Sequence, residues 1–111
     1  MTTGMFANPG QTIILAVEVL DSNGSRVDGY IPTLDSVLDP SGTALSGFPD
    51  AMTRLSLGLY NLGVSIPSGI TAIGTYIASA SWEHPDTGFT QYDLFLINVA
   101  LPFGTASATA S

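Results

Sequence analysis

A two-residue alternation of apolar and polar side chains limits the fold of this chain more than any other feature. In residues 11–21, every second position from 13 to 19 is Ile, Leu or Val, and alternate residues of a β-strand point to one face. Residues 74–83 and 89–100 alternate similarly, and clusters of Gly, Pro, Asn and Asp separate such segments. Every segment that could form a helix is interrupted by glycine, by proline or by a run of β-branched residues, which disfavour helices. The pattern predicts an all-β, antiparallel sandwich of about seven strands.

Length and charge narrow the classes of function. The 111 residues fit one domain, and two basic residues against nine acidic ones give a net charge of -7. Phosphate-binding surfaces need clustered Lys and Arg, so the sequence argues against nucleic acid and against an anionic membrane surface as partners. The chain has no cysteine, which excludes disulfides and thiolate metal sites.

Charged residues are sparse for a free protein. They make up 10% of the chain, whereas hydrophobic residues make up 45%, and about a quarter of an average protein is charged. A solvent-exposed monomer normally presents a more charged surface. We therefore expect that neighbouring subunits cover much of this surface, although an ordinary Ala- and Ser-rich surface is the alternative.

Short motifs at turns and strand starts follow one another between residues 9 and 100. They are Pro9-Gly10-Gln11, Asp21 with Gly24, Asp39-Pro40 with Gly42, Gly58 with Tyr60, Ile66-Pro67, Gly74 with Tyr76, and Phe95 with Ile97. In this order they resemble the motifs of bacterial Ig-like and macroglobulin-type β-sandwich modules. The resemblance implies an Ig-like sandwich over residues 9–100, with residues 1–8 and 101–111 as extended terminal arms. It implies little about function, because one fold carries many functions.

An Asp-Thr-Gly triplet at residues 86–88 matches the sequence around the catalytic carboxylate of aspartic proteases. In retropepsin-like enzymes apolar residues precede the triplet and a small residue follows it, whereas here His84 and Pro85 precede it and Phe89 follows. The order Pro-Asp-Thr-Gly is typical of a type I or II turn. The triplet is therefore predicted to be a hairpin turn.

Other catalytic and metal-binding patterns are weak. His84 is the only histidine, so a multi-histidine metal cluster is excluded, and we find no Gly-x-Ser-x-Gly nucleophile elbow. Residues 21–25 resemble the start of a calcium loop, but the acidic residue at its twelfth position is missing. We expect no enzyme activity and no cofactor. A calcium ion shared by Asp residues at a strand end stays an alternative.

Once catalysis and nucleic-acid binding are set aside, the sequence favours a structural or binding role. The apolar runs are shorter than a membrane-spanning helix needs, and the N-terminus lacks the pattern of a signal peptide, so we expect a protein made in the cytoplasm. Our first hypothesis is a virion component of a bacteriophage that decorates or cements a head, neck or tail. The alternatives are an extracellular Ig-like adhesion or spacer module, and a carbohydrate-binding sandwich with Trp82, Tyr92 and Tyr30 as a stacking platform.

Apolar residues opposite the predicted core are the candidate interface. They are expected to form one outer patch that contacts other virion proteins or copies of the same chain, because large apolar patches usually mark interfaces. The C-terminal arm is expected to lie along a neighbouring chain by β-augmentation. The predicted interface residues are Ile14, Leu20, Tyr92, Leu94 and Leu96 in the patch, and Leu101 and Phe103 in the arm.

Overall fold

The computed structural model describes residues 2–101, and these form two β-sheets packed face to face. One short 3-10 turn, Ile70–Ala72, is the helical element of this part of the chain. The all-β sandwich predicted from the alternation is confirmed, and residues 2–101 contain eight strands. They are β1 (Thr2–Ala7), β2 (Thr12–Glu18), β3 (Thr33–Leu38), β4 (Asp50–Ala51), β5 (Thr53–Ser56), β6 (Leu59–Ser65), β7 (Gly74–Glu83) and β8 (Thr90–Val99).

The strands are divided between a five-stranded and a three-stranded sheet. The five-stranded sheet has the order β1-β8-β7-β3-β4, and the three-stranded sheet has the order β2-β6-β5. The series β8-β7-β3 opposite β2-β6-β5 has the same arrangement as strands G-F-C opposite B-E-D in Ig-type sandwiches. All pairs are antiparallel except β1 with β8, which is parallel.

The N-terminal segment differs from the prediction of an arm over residues 1–8. Residues 2–7 form β1 and pair with β8 from Leu94 to Val99. Ala7 is buried, and Met5 packs against the core. The loop of residues 8–11 carries the chain directly to β2 in the other sheet, so β1 makes no hairpin and its parallel direction is not constrained by a turn. The sandwich therefore begins before residue 9.

The core lies between the facing surfaces of the two sheets. In β2 the residues alternate strictly between exposed and buried, as its sequence predicts. Phe95 is 2% exposed and Leu15 is 0% exposed, so the predicted strand faces are confirmed. The predicted core residues, all buried, are Leu15, Val17, Tyr76, Ala78, Phe95 and Ile97.

Two turns share a nine-residue pattern, VLDSNGSRV at residues 19–27 and VLDPSGTAL at residues 37–45. In each turn one Asp carboxylate oxygen accepts two backbone N–H groups of the same turn, at 2.9–3.0 Å. Asp21 does this in the first turn, and Asp39 does it in the second. The segment that resembles a calcium loop therefore uses its first carboxylate to fix the turn, as Asp side chains commonly do.

Three carboxylates that accept hydrogen bonds at turns predict a loss of stability in acid. Hydrogen bonds from Ser41, Arg54 and Ser22 hold the pKa values of Asp39, Asp28 and Asp86, respectively, below the ordinary value of 3.8. A depressed pKa in the folded state stabilises the fold above the unfolded pKa, and this contribution is lost as the pH falls through the folded pKa. We expect the free energy of unfolding to decline below about pH 4. The measurement is urea unfolding at a series of pH values.

The Asp39→Asn variant is the control for this pH dependence. Its amide oxygen still accepts hydrogen bonds in the turn, but position 39 no longer titrates. The variant should lose less stability than the natural protein between about pH 4 and pH 2. An identical acid loss in both proteins would show that Asp39 does not contribute.

Candidate interaction surface

The Asp-Thr-Gly triplet lies in the tip of the β7–β8 hairpin, so the predicted turn is confirmed. The backbone N–H of His84 donates to the carbonyl of Phe89 at 2.8 Å, and the N–H of Gly88 donates to the carbonyl of His84 at 3.0 Å. The carboxylate of Asp86 accepts the backbone N–H of Ser22 at 2.7 Å. Asp86 therefore ties the hairpin to the turn that follows β2.

A groove of about 440 Å³ lies between β2 and the β7–β8 hairpin. Two of the side chains in its wall already interact with other groups of the protein. His84 accepts the backbone N–H of Asp86 on Nδ1 at 3.1 Å, and Glu18 pairs with Arg26. Within residues 2–101, no three His, Asp or Glu side chains are grouped in a way that could hold a metal ion. The residues of the wall are Ala16, Glu18, Leu20, Asp21, Trp82, His84, Gln91, Tyr92 and Asp93.

The three aromatic residues of the predicted carbohydrate platform are not all on one face, although Trp82 and Tyr92 both line this groove. Trp82 and Tyr30 are partly buried and pack against the core. The Tyr30 hydroxyl donates to the carbonyl of Pro85 at 3.4 Å. Tyr92, by contrast, is 63% exposed and pairs with Ser81, the residue before Trp82. Since neighbouring residues of a strand point to opposite faces, Tyr92 lies on the outer surface while Trp82 points inward.

The predicted apolar patch is divided among three places in the structure. Tyr92, Leu94 and Leu96 lie together on the outer surface of the five-stranded sheet, because they alternate with the buried side of β8. Ile14 is 59% exposed on the outer surface of the three-stranded sheet, on the opposite side of the sandwich. Leu20 lines the groove, to whose wall Tyr92 also contributes. The sequence places these residues away from the core, but it does not distinguish the two outer surfaces.

The two arm residues lie at or beyond the end of the described chain. Leu101 follows β8 and is 61% exposed. It lines a second groove, of about 400 Å³, together with Phe6 and Asn98. Phe103 lies outside the described residues, as do the other residues of the predicted arm from 102 to 111.

Strand pairing assembles an apolar row that sequence reasoning did not identify. Leu38 pairs with Ile77, Ile77 pairs with Leu96, and Leu96 pairs with Gly4. All four residues lie on the outer surface of the five-stranded sheet, and Ile77 is 41% exposed. Single alternating strands predict that each residue faces outward. Their position in one row depends on the pairing of strands that are distant in sequence.

The middle of this outer surface carries no charge. The outward positions of β7 from Thr75 to Ser81 are Thr, Ile, Ser and Ser. Those of β8 from Tyr92 to Asn98 are Tyr, Leu, Leu and Asn. We define the outer face as these eight positions together with Leu38, Gly4 and Phe6. Phe6 is 82% exposed at its edge.

Comparisons with known proteins add no family to this description. No protein-family model matches the chain, and no curated protein is detectably similar to it. Within residues 2–101, no helix has the length and apolar character needed to cross a bilayer.

Proposed function

We propose that this protein is a non-enzymatic structural subunit of a bacteriophage particle, and that it binds neighbouring subunits through the outer face. The observation that carries the proposal is an uncharged, partly apolar sheet surface on a chain whose net charge is -7. In an ordinary antiparallel sheet with one solvated face, the side chains on that face are polar. The outer face, by contrast, exposes Ile77, Leu94 and Tyr92.

Charge favours the outer face as the contact between copies. Each copy carries nine acidic and two basic residues, and like charges brought together in an interface are unfavourable. Both arginines already pair within the chain, Arg26 with Glu18 and Arg54 with Asp28. A contact between copies is therefore favoured on a surface without charge, and the outer face is such a surface.

The size of the outer face indicates several contacts for each subunit. Strands about 4.8 Å apart and a rise of about 3.3 Å per residue give a surface on the order of 500 Å². A stable interface usually buries about 800 Å² on each partner. The outer face alone is thus small for an isolated dimer, and it suits a subunit that several neighbours hold in a larger particle.

A matched pair of substitutions tests the contact. Ile77→Glu puts a charge at the centre of the outer face, and we expect it to shift the oligomer to monomer. Ile14→Glu makes the same chemical change on the opposite surface, at a side chain that is also exposed, and it should assemble like the natural protein. Size-exclusion chromatography with light scattering gives the masses, and circular dichroism checks that both variants fold.

Two results would contradict this proposal. One is a natural protein that stays monomeric at high concentration, and the other is an Ile77→Glu variant that assembles as the natural protein does. The virion part of the proposal has its own test, since we expect the gene to lie beside portal and capsid genes. A neighbourhood of secretion and adhesion genes would instead favour the extracellular module.

A further inference from the structure

We propose that two copies of this chain pair as antiparallel strands through the free edges of β1. A twofold axis at Met5 relates the copies and places Phe6 of each one opposite Gly4 of the other. This inference rests on the proposed function and deepens it, because it gives the assembling copies a second contact, at the edge of the outer face. It commits to a second copy of this chain as the partner.

The free edge of β1 lacks the features that usually prevent strand addition. Proteins protect sheet edges with charged residues, proline, bulges or very short strands. β1 is six residues long, has the uncharged sequence TTGMFA, and pairs with β8 without a register shift. Within residues 2–101, no strand pairs with its other side. That side is therefore a template for another strand.

The other three sheet edges each carry a protective feature. β4 is two residues long and contains Asp50. β5 contains Arg54 and a register shift after it. β2 ends at Glu18 and borders the groove whose wall also contains Asp21 and Asp93, and carboxylates of two approaching copies repel each other. Among the edges in the described part of the chain, β1 is thus the one best suited to pair with a second copy.

The backbone groups of Gly4 and Phe6 point to the free edge. The carbonyl of Ala7 accepts the backbone N–H of Ala100 at 3.0 Å, so the backbone groups of Ala7 point toward the side of β8. Successive residues of a strand present their backbone groups to alternate sides of the strand. The N–H and C=O groups of Gly4 and Phe6 therefore point away from β8, where a second copy can bind them.

A twofold axis at Met5 brings these backbone groups together. In an antiparallel pair, directly opposite residues alternate between pairs that exchange both hydrogen bonds and pairs that exchange none. When position 5 lies opposite itself, position 4 lies opposite position 6. Gly4 and Phe6 of the two copies then form a hydrogen-bonded pair on each side of the axis, and the two Met5 residues form the non-hydrogen-bonded pair between them.

The same register covers the Phe6 side chain. Phe6 is 82% exposed, and Gly4 lies on the same face of β1, where an added β-carbon would meet no atom within 4 Å. An aromatic residue across the strand pair from an edge glycine stabilises that pair. Each Phe6 ring would lie over the Gly4 of the other copy. Because one strand supplies both the ring and the gap, β1 complements itself, as a twofold contact between identical chains requires.

Charge and continuity also favour a second copy as the partner. Each copy has a net charge of -7, but the strand brought into contact carries no charge. Gly4 and Phe6 belong to the outer face, so the pairing places two outer faces side by side. Two faces of about 500 Å² each together exceed the roughly 800 Å² that one partner buries in a stable interface. The paired copies thus present a surface large enough for further subunits.

Disulfide trapping tests the pairing and its register, and the chain suits it because it contains no cysteine. Full-length Gly4→Cys and Phe6→Cys variants are mixed and oxidised in air. Positions 4 and 6 of the two copies should have Cα atoms about 5.5 Å apart, which a disulfide can bridge. Equal positions lie on the diagonal, about 7–8 Å apart, beyond the usual range of a disulfide. We expect the mixed dimer, identified by its intact mass, to exceed the share that random collisions give.

The control mixture combines Gly4→Cys with Ile14→Cys. Ile14 is 59% exposed on the outer surface of the other sheet, so its replacement is accessible but should not reach position 4. A control mixture that gives as much mixed dimer as the test mixture would overturn the proposal. So would a Gly4→Cys variant that links mainly to itself, since that places the axis at position 4. An edge covered by another part of the same chain would give no mixed dimer, and this result would overturn the proposal too.

Adding Ile77→Glu to both cysteine variants distinguishes the two contacts. Mixed dimers that persist with this change support the edge contact, even if the outer face proves not to bind a neighbour. If the natural protein assembles and the cysteine mixture gives no mixed dimer, the outer face stands as a contact and the edge pairing is wrong.

Discussion

Replacing Phe95 with alanine should destabilise the fold by about 3–5 kcal/mol, the range found when a large buried aromatic side chain is truncated. Phe95 is 2% exposed and lies in the centre of the core on β8. The substitution removes apolar area from the interior and leaves a cavity that the neighbouring strands close only partly. Domains of this size are stable by roughly 5–15 kcal/mol, so the loss should lower the urea midpoint of unfolding substantially.

Phe89→Ala is the matched control for this prediction. It removes the same ring from the neighbouring hairpin, where Phe89 is 73% exposed. Surface substitutions usually change stability by about 0.5 kcal/mol or less. Equal urea midpoints for the two variants would show that burial between the sheets does not explain the contribution of Phe95 to stability.

Replacing Gly58 with alanine should also destabilise the protein, by at least about 2 kcal/mol, because strain and steric overlap act together. Gly58 has a φ of 65°, in the left-handed region that a β-carbon disfavours. A β-carbon there would lie 2.8 Å from the backbone nitrogen of Val27 and 3.0 Å from the carbonyl oxygen of Val19. Relief requires a shift of the backbone, since neither atom belongs to a flexible side chain.

Gly24→Ala separates the two causes. Gly24 has a φ of 81°, but a β-carbon there would meet nothing within 4 Å. We expect this control to show the backbone strain alone, about 1–2 kcal/mol. Thermal or urea unfolding of both variants measures the difference. A Gly58→Ala protein no less stable than Gly24→Ala would contradict the close approach of the chain at Gly58.

The close approach also explains part of the motif pattern. Both glycines of the Gly-x-Tyr pairs stand where a side chain does not fit. At Gly74 a β-carbon would lie 2.6 Å from the ring of Pro40, the second residue of the Asp-Pro-x-Gly turn. The buried tyrosines that follow, Tyr60 and Tyr76, are each 1% exposed. The Gly-x-Tyr motifs thus mark the positions at which a turn packs against the start of a core strand.

The sequence by itself determined most of the strands, though not β1, and the direction of most of their side chains. A period of two residues is a local property, so Leu15 and Phe95 face the core whatever strands lie beside them. The Asp-Thr-Gly turn is local in the same way, because Pro85 and Gly88 favour its geometry within the hairpin.

Tertiary structure alone decided which strands are neighbours, and with them the surface on which the proposed contact depends. Nothing in the local pattern of Ile14 or Leu94 separates the outer surface of one sheet from that of the other, because both alternate in the same way. The row of Leu38, Ile77 and Leu96 and the free edge of β1 arise from pairing between segments far apart in the sequence. Register and partner choice depend on the total burial of all strands together, which no single segment encodes.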